Sequence, residues 1–247
     1  MKFPLMSNNI DRRDINHLIK YLKTKNPRLT QGKNVEQFEK NWSKWLGVKY
    51  SVFVNSGSSA NLISLAYLKY LFGTGEIIVP TLTWVSDIAS IIQNGFKPIF
   101  VDISLKNLSM NSSEISKKIS KKTKAIFITH ALGFNALNKE LLKILKEKKI
   151  LLIEDVCESH GAKYNKKKLG SYGFLSNFSF YFAHHISTIE GGMISTNNYS
   201  AYQYIRMFRS HGLLRESNDS KFRNNILKKN KLLNPEFIFT FPAYNVR

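Results

Sequence analysis

The order of apolar runs along this 247-residue chain predicts an α/β fold with a largely parallel, buried sheet. Three observations carry that reading. Short apolar runs alternate with helix-length amphipathic segments, the spacing of strand–helix–strand units. Several runs, among them YSVFV, EIIVP and AIFIT, are nearly continuous rather than alternating, as strands covered on both faces require. With 43% hydrophobic and 13% aromatic residues, the chain can bury a sizeable core.

The elements follow in order. Residues 11–25 and 34–46 read as helices, the second with Val35, Phe38, Trp42 and Trp45 at three- to four-residue spacing. YSVFV (50–54) is a strand, and NSGSSAN opens the helical run LISLAYLKYLF. GEIIVP (75–80) is a strand before the helix-like TWVSDIASIIQNG. KPIFVDI (97–103) is a strand followed by a polar stretch, and KAIFITHAL (124–132) a strand before the helix NKELLKILKEKK. ILLIEDVCE (150–158) is the next strand, and FLSNFSFYF and GGMIST close the series. The helix YSAYQYIRMFRSHG then leads into a basic loop and the final PEFIFTFPAYNVR. There is no internal repeat and no low-complexity linker.

Composition narrows the class of function. The net charge is +20, from 37 basic and 17 acidic residues. The lysines cluster in SKKISKKTK, KEKK, NKKK and KKNK, without the aromatic interleaving of a single-strand binder, so they read first as a solvated surface. A polyanion- or nucleic-acid-binding protein is the alternative from a different class, recognisable by steeply salt-dependent binding. The single cysteine, Cys157, excludes an internal disulfide and any multi-cysteine zinc or iron–sulfur site, and fits a reducing cytoplasm. No apolar run is long enough to span a bilayer, and MKFPLMSNNIDRRD has no continuous apolar core, so neither a membrane span nor a signal peptide is expected.

In parallel sheets, ligands gather beyond the carboxyl ends of the strands, so the residues just after each strand carry the functional reading. NSGSSAN offers Gly57, Ser58 and Ser59 at a helix start, either a phosphate cradle or an ordinary N-cap. In PTLTWVS, Trp84 is either core or a platform for a planar ring. In IEDVCESHG, Glu154 and Asp155 end a buried strand and need partners; Asp155 is placed to pair with a protonated ring nitrogen, with Glu158 and His160 beyond it. FSFYFAHHISTIEGG holds Ser179, the adjacent His184 and His185, and a Glu190-Gly191-Gly192 turn. Adjacent histidines diverge on a strand or a helix, and His130, His160 and Cys157 show no ligand spacing, so metal binding is the weaker reading. Packing is the expectation for His185 and proton transfer for His184.

Ordered blocks from about residue 3 to the end carry a family resemblance. They include LTQGKNVEQFEKNWSKWLGVKY, NSGSSANL, GEIIVPTLTWVS, KPIFVDI, TKAIFITHALG, IEDVCESHGAKYNKKKLGSYG, FSFYFAHHISTIEGGMIST, FRSHG and PAYNVR. Together they resemble the DegT/DnrJ/EryC1/StrS family of pyridoxal-phosphate-dependent nucleotide-sugar enzymes, with an aspartate-aminotransferase-like large domain. The resemblance implies an N-terminal arm over 1–30 and a cofactor-binding large domain over 31–247. It also implies a smaller C-terminal domain beyond YNVR that is missing here, which would put activity in doubt for a chain truncated at that point.

Carried over by position, Ser58 with the backbone of Gly57 and Ser59 holds the cofactor phosphate, helped by Ser179. Trp84 stacks on the pyridine ring, Asp155 pairs with its N–H, and Glu158 lies near its hydroxyl. Asn245 matches the residue lent to the phosphate across a homodimer interface. The family's Schiff-base lysine normally stands five residues after the serine, where this chain has His184. An imidazole cannot form an imine with an aldehyde, but it can move protons near neutral pH.

That replacement resembles the 3-dehydratase branch, which removes the C3 hydroxyl of nucleotide-activated 4-keto-6-deoxyhexoses using pyridoxamine phosphate regenerated from glutamate. No cysteine follows FRSHG, so the resemblance is to members without an iron–sulfur cluster. It implies a cytoplasmic enzyme of deoxysugar and surface-glycan (lipopolysaccharide O-antigen) biosynthesis, with no nucleic-acid or membrane partner. A sugar aminotransferase using another lysine, and a non-catalytic paralogue, are the alternatives within the family. Lys166, Lys167 and Lys168 read as a surface turn, which speaks against the first.

Overall fold

The computed structural model describes residues 8–247, so the first seven residues of the expected N-terminal arm lie outside the described part. The strands are β1 (Tyr50–Val54), β2 (Glu76–Pro80), β3 (Lys97–Val101), β4 (Thr123–Thr129), β5 (Leu151–Asp155), β6 (Lys163–Tyr164), β7 (Lys167–Lys168), β8 (Leu175–Ser179) and β9 (Gly192–Thr196). The helices are α1 (Arg12–Leu22), α2 (Lys33–Leu46), α3 (Gly57–Phe72), α4 (Val85–Gln93), α5 (Ser112–Lys118), α6 (Lys139–Lys148), α7 (Tyr199–Arg209) and α8 (Ser220–Lys229).

Seven strands form one sheet in the order β1-β9-β8-β5-β4-β2-β3. Only β9 is antiparallel to its neighbours, so the other six run one way and their carboxyl ends share one edge. The register fixes that edge: Gly192 stands opposite both Val54 and Ser179, and Thr129 opposite Asp155. The separate β6–β7 hairpin turns at Asn165 and Lys166, both with positive φ, which puts the NKKK run at the surface.

Both faces of the sheet are covered, as the continuous apolar strands require. On one side α3 is apolar nearly all round and wholly buries Ile63, Leu65 and Leu68, being packed against α4, α7 and β8. On the other, Trp42 of α2 packs edge-on against Phe178 and Phe180 at 5.0 and 4.9 Å between ring centroids. A buried ion pair joins three elements: Arg209 Nη1 donates to Glu39 Oε1 at 2.8 Å and to the Phe53 carbonyl at 2.9 Å.

The sequence reading missed two helices. The polar stretch after β3 contains α5, and the basic loop after α7 contains α8. Both are short and bury little: α5 buries only Ser112 and Ile115, and α8 buries nothing. Caps from Asn111 and Asp219 start them instead, a local signal hidden among polar residues. The strands predicted to reach 132 and 158 end at Thr129 and Asp155, because the chain turns into the crevice there, with Leu132 at φ 52°.

Candidate active site

At the carboxyl edge of the sheet, the end of β1 feeds directly into α3. Ser56 caps that helix by accepting from the Ser59 N–H at 3.0 Å, and the Ser59 hydroxyl donates to Asn55 Oδ1 at 2.6 Å. Ser59 is therefore occupied within the turn. The first-turn amides of Gly57 and Ser58, with the exposed Ser58 side chain, remain open at the positive end of a 16-residue helix. A Cβ built on Gly57 would lie 2.7 Å from Ser179 Cβ and 3.0 Å from Cys157 Sγ, so β1, β5 and β8 close on one point. A helix start of this geometry suits a phosphate.

Asp155, at the end of β5, is 4% exposed. Its Oδ1 accepts the Cys157 N–H at 2.9 Å and its Oδ2 accepts Asn61 Nδ2 at 3.2 Å. Among the described residues no lysine, arginine or histidine pairs with it. A buried carboxylate without a cation fits a ligand that brings one, such as a protonated pyridine nitrogen. Burial pushes the neighbouring Cys157 thiol well up, and Asp155 adds to that, so Cys157 is an inert packing group.

Glu154, the other carboxylate of that strand end, points to the opposite face. It accepts His130 Nε2 at 3.0 Å and the backbone N–H groups of Gly170, Tyr172 and Gly173, and so serves the fold. Glu158 accepts the Leu132 N–H at 2.8 Å. Trp84 precedes α4 and is 63% exposed, so it belongs to the mouth of the crevice rather than the core. Asn245 is exposed, its carboxamide accepts from Arg247, and it makes no hydrogen bond to Ser58 or Ser179.

His184 lies half-buried in the turn after β8. Its N–H donates to the Tyr181 carbonyl at 2.9 Å, and its own carbonyl accepts Asn9 Nδ2 at 2.7 Å. Burial pushes its imidazole below the ordinary value, while the nearby Glu158 and Asp155 carboxylates pull the other way. It is therefore neutral at pH 7, the form a general base requires. The packing expected of His185 is not what the structure shows: it is exposed, because the turn carries it to the surface above His160.

His160 packs between Trp42, Phe178 and Phe180, with centroids 5.5, 5.7 and 5.7 Å away. Both of its nitrogens are buried and lack a hydrogen-bond partner among the described residues. Burial, with smaller pushes from His185 and His184, holds it down to about 3. The unfolded chain takes up this proton near 6.5, the ordinary value. The stability His160 contributes is thus complete above pH 6.5 and drains away as pH falls toward 3, at up to about 1.4 kcal/mol per pH unit. Urea denaturation between pH 7.5 and 5 should show a smaller pH slope in His160→Phe than in the parent chain; equal slopes would place the proton elsewhere.

Sequence reasoning missed the polar floor of the crevice. Asp87, Asn61, Ser64 and Asn177 are fully buried there, with Thr83 and Thr129 beside them. The available signal was Asp87 itself, an acid one turn before Ile91 on the buried face of an otherwise apolar helix.

The profile of the DegT/DnrJ/EryC1/StrS aminotransferase family matches residues 8–243. The chain belongs to that family. Among DegT-family relatives, a GDP-4-keto-6-deoxy-D-mannose 3-dehydratase of Yersinia pseudotuberculosis is 37% identical over 255 residues, covering 100% of this chain and 63% of the relative. The solved E. coli GDP-4-keto-6-deoxy-D-mannose-3-dehydratase with bound hydrated PLP superposes with a TM-score of 0.88 at 32% identity, covering 100% of this chain and 64% of that one. A structure of GDP-4-keto-6-deoxymannose-3-dehydratase with a trapped PLP-glutamate geminal diamine gives the same TM-score, identity and coverage. The chain thus spans a little under two thirds of the length of these DegT-family proteins. The α/β fold with a mostly parallel sheet is the aminotransferase-like fold expected from the sequence.

Proposed function

We propose that this chain is the cofactor-binding part of a nucleotide-sugar 3-dehydratase that deoxygenates C3 of an NDP-4-keto-6-deoxyhexose. The observation that supports the reading is His184: a half-buried imidazole, lowered by burial against the pull of the Glu158 and Asp155 charges, in a chain of the DegT family, at the position where the family resemblance puts the lysine. The likeness to dehydratases over the whole length of the chain supports it.

The residues fit pyridoxamine or pyridoxal 5′-phosphate. The Gly57 and Ser58 amides, the Ser58 side chain and Ser179 would hold the phosphate, with Ser59 shaping the turn. Asp155 would face the ring nitrogen and keep it protonated, Glu158 would lie by the ring hydroxyl, and Trp84 would cover one ring face. The cofactor supplies a primary amine to condense with the 4-keto group and a ring able to take up electrons. With the cofactor bound, His184 would be the group that moves the proton, as base at the reacting carbon and as acid toward the C3 oxygen.

Glutamate serves as amino donor, in line with the glutamate adduct trapped in the related structure. Asn245, exposed on its own protomer, is read as reaching the phosphate site of a second copy, which makes the working form a homodimer. The single cysteine and the nucleotide-sugar substrate of this reading are in keeping with a cytoplasmic reaction.

The test is incubation with pyridoxamine phosphate, glutamate and a panel of NDP-4-keto-6-deoxyhexoses, followed by mass spectrometry. Loss of the C3 oxygen is expected. Products that keep that oxygen and gain an amine at C4 would overturn the dehydratase reading in favour of an aminotransferase.

A further inference from the structure

Asp87 is fully buried in the first turn of α4, directly beneath the candidate site. Its Oδ1 accepts Asn61 Nδ2 at 2.7 Å, and its Oδ2 accepts the Thr83 and Thr129 hydroxyls at 2.5 and 2.8 Å. The same Asn61 nitrogen reaches Asp155 Oδ2 at 3.2 Å, so one amide bridges the two acids. The amide of Asn61 cannot swing away. Its oxygen accepts Asn177 Nδ2 at 2.8 Å, and Asn177 in turn accepts the Ser64 hydroxyl at 2.7 Å. This chain of bonds fixes the Asn61 NH2 toward the two acids.

Two buried carboxyls bridged by one amide nitrogen, with no lysine, arginine or histidine paired to either among the described residues, do not both ionise. One proton belongs to the pair. The surroundings decide who keeps it. Asp155 opens toward the crevice and accepts a backbone N–H, and Cys157, Glu158 and His184 are the titratable groups around it. Asp87 has no opening at all. Burial first, and the adjacent Asp155 charge second, push Asp87 well above the usual carboxylate range.

We propose that Asp87 and Asp155 form a one-proton carboxyl pair in which the fully buried Asp87 holds the proton and, through the shared Asn61 amide, is the positioning residue that aims Asp155 at the cofactor's ring nitrogen. The proposal rests on the cofactor reading above. One negative charge would then face one ring cation, so neither would be left unmatched with the cofactor bound.

Two measurements test it, one of them independent of the cofactor. Infrared spectroscopy of the ligand-free chain at pH 7 should show the carbonyl stretch of one un-ionised carboxylic acid, absent in Asp87→Asn. The second is titration with 15N-labelled pyridoxal 5′-phosphate, read by the ring-nitrogen chemical shift. An asparagine mimics a neutral acid, so Asp87→Asn should keep the pyridinium signal and bind within about threefold of the parent, whereas Asp87→Leu should weaken binding about tenfold and move the signal toward neutral pyridine. No acid band in the parent chain, loss of the pyridinium signal in Asp87→Asn, or an unchanged Asp87→Leu would each overturn the pair. A parent chain that shows the acid band but binds no cofactor would sink the cofactor reading alone.

Discussion

Replacing His184 by lysine should abolish dehydration and turn the crevice into one that traps pyridoxal 5′-phosphate covalently. The imidazole is the proposed proton acceptor, and removing such a group costs about 10²- to 10⁴-fold in turnover. The new primary amine condenses with the cofactor aldehyde, an option closed to imidazole. After borohydride treatment, mass spectrometry of His184→Lys should show the cofactor attached to the protein. His184→Asn should lose turnover to the same degree without attachment. Undiminished C3 deoxygenation in either variant would remove His184 from the mechanism.

The second large effect is expected at Gly192, where only backbone stands in the way. A Cβ there would lie 2.2 Å from the Ser56 carbonyl oxygen, 2.4 Å from its carbon and 2.8 Å from the Gly57 nitrogen. All three are backbone atoms, and they form the floor of the phosphate cradle. Gly192→Ala must push the start of α3 away from β9, at a cost of about 1–3 kcal/mol and with weakened phosphate binding. At Gly191 the nearest obstacles are the Thr188 hydroxyl at 2.3 Å and the Phe53 ring at 2.8 Å, side chains that can give way. Urea midpoints and pyridoxal-phosphate affinities should therefore fall further in Gly192→Ala than in Gly191→Ala. Equal losses would mean that the cradle does not depend on this contact.

The Gly-Gly turn explains why so much was readable before the fold was known. Strand ends in a parallel sheet are announced by apolar runs, and the polar residues just after them have few structural duties, so NSGSSAN, Asp155 and the 184 position stood out. What stayed hidden was polar and interior. Asn61 and Ser64 read as ordinary members of a helix start, and Asn177 as an interruption in a strand. Their importance comes from the register that stacks β5 beside β8 and brings α4 beneath both. The misplacement of His185 has a similar cause: the turn at 181–184 breaks the alternation that would have carried it inward. Helices α5 and α8 escaped because a cap without an apolar face leaves almost no periodic trace.

The exposure of Trp84 also gives the molecule a built-in optical reporter. Trp42 is 3% exposed, packed among Trp45, Phe178 and Phe180, so its indole emits from a shielded site behind the crevice, while Trp45 is 37% exposed. Trp84, open to solvent, emits at longer wavelength and is the one a docking pyridine ring would quench. Filling of the site can thus be followed in unlabelled protein by the dimming of red-edge fluorescence, with the buried Trp42 serving as an internal reference.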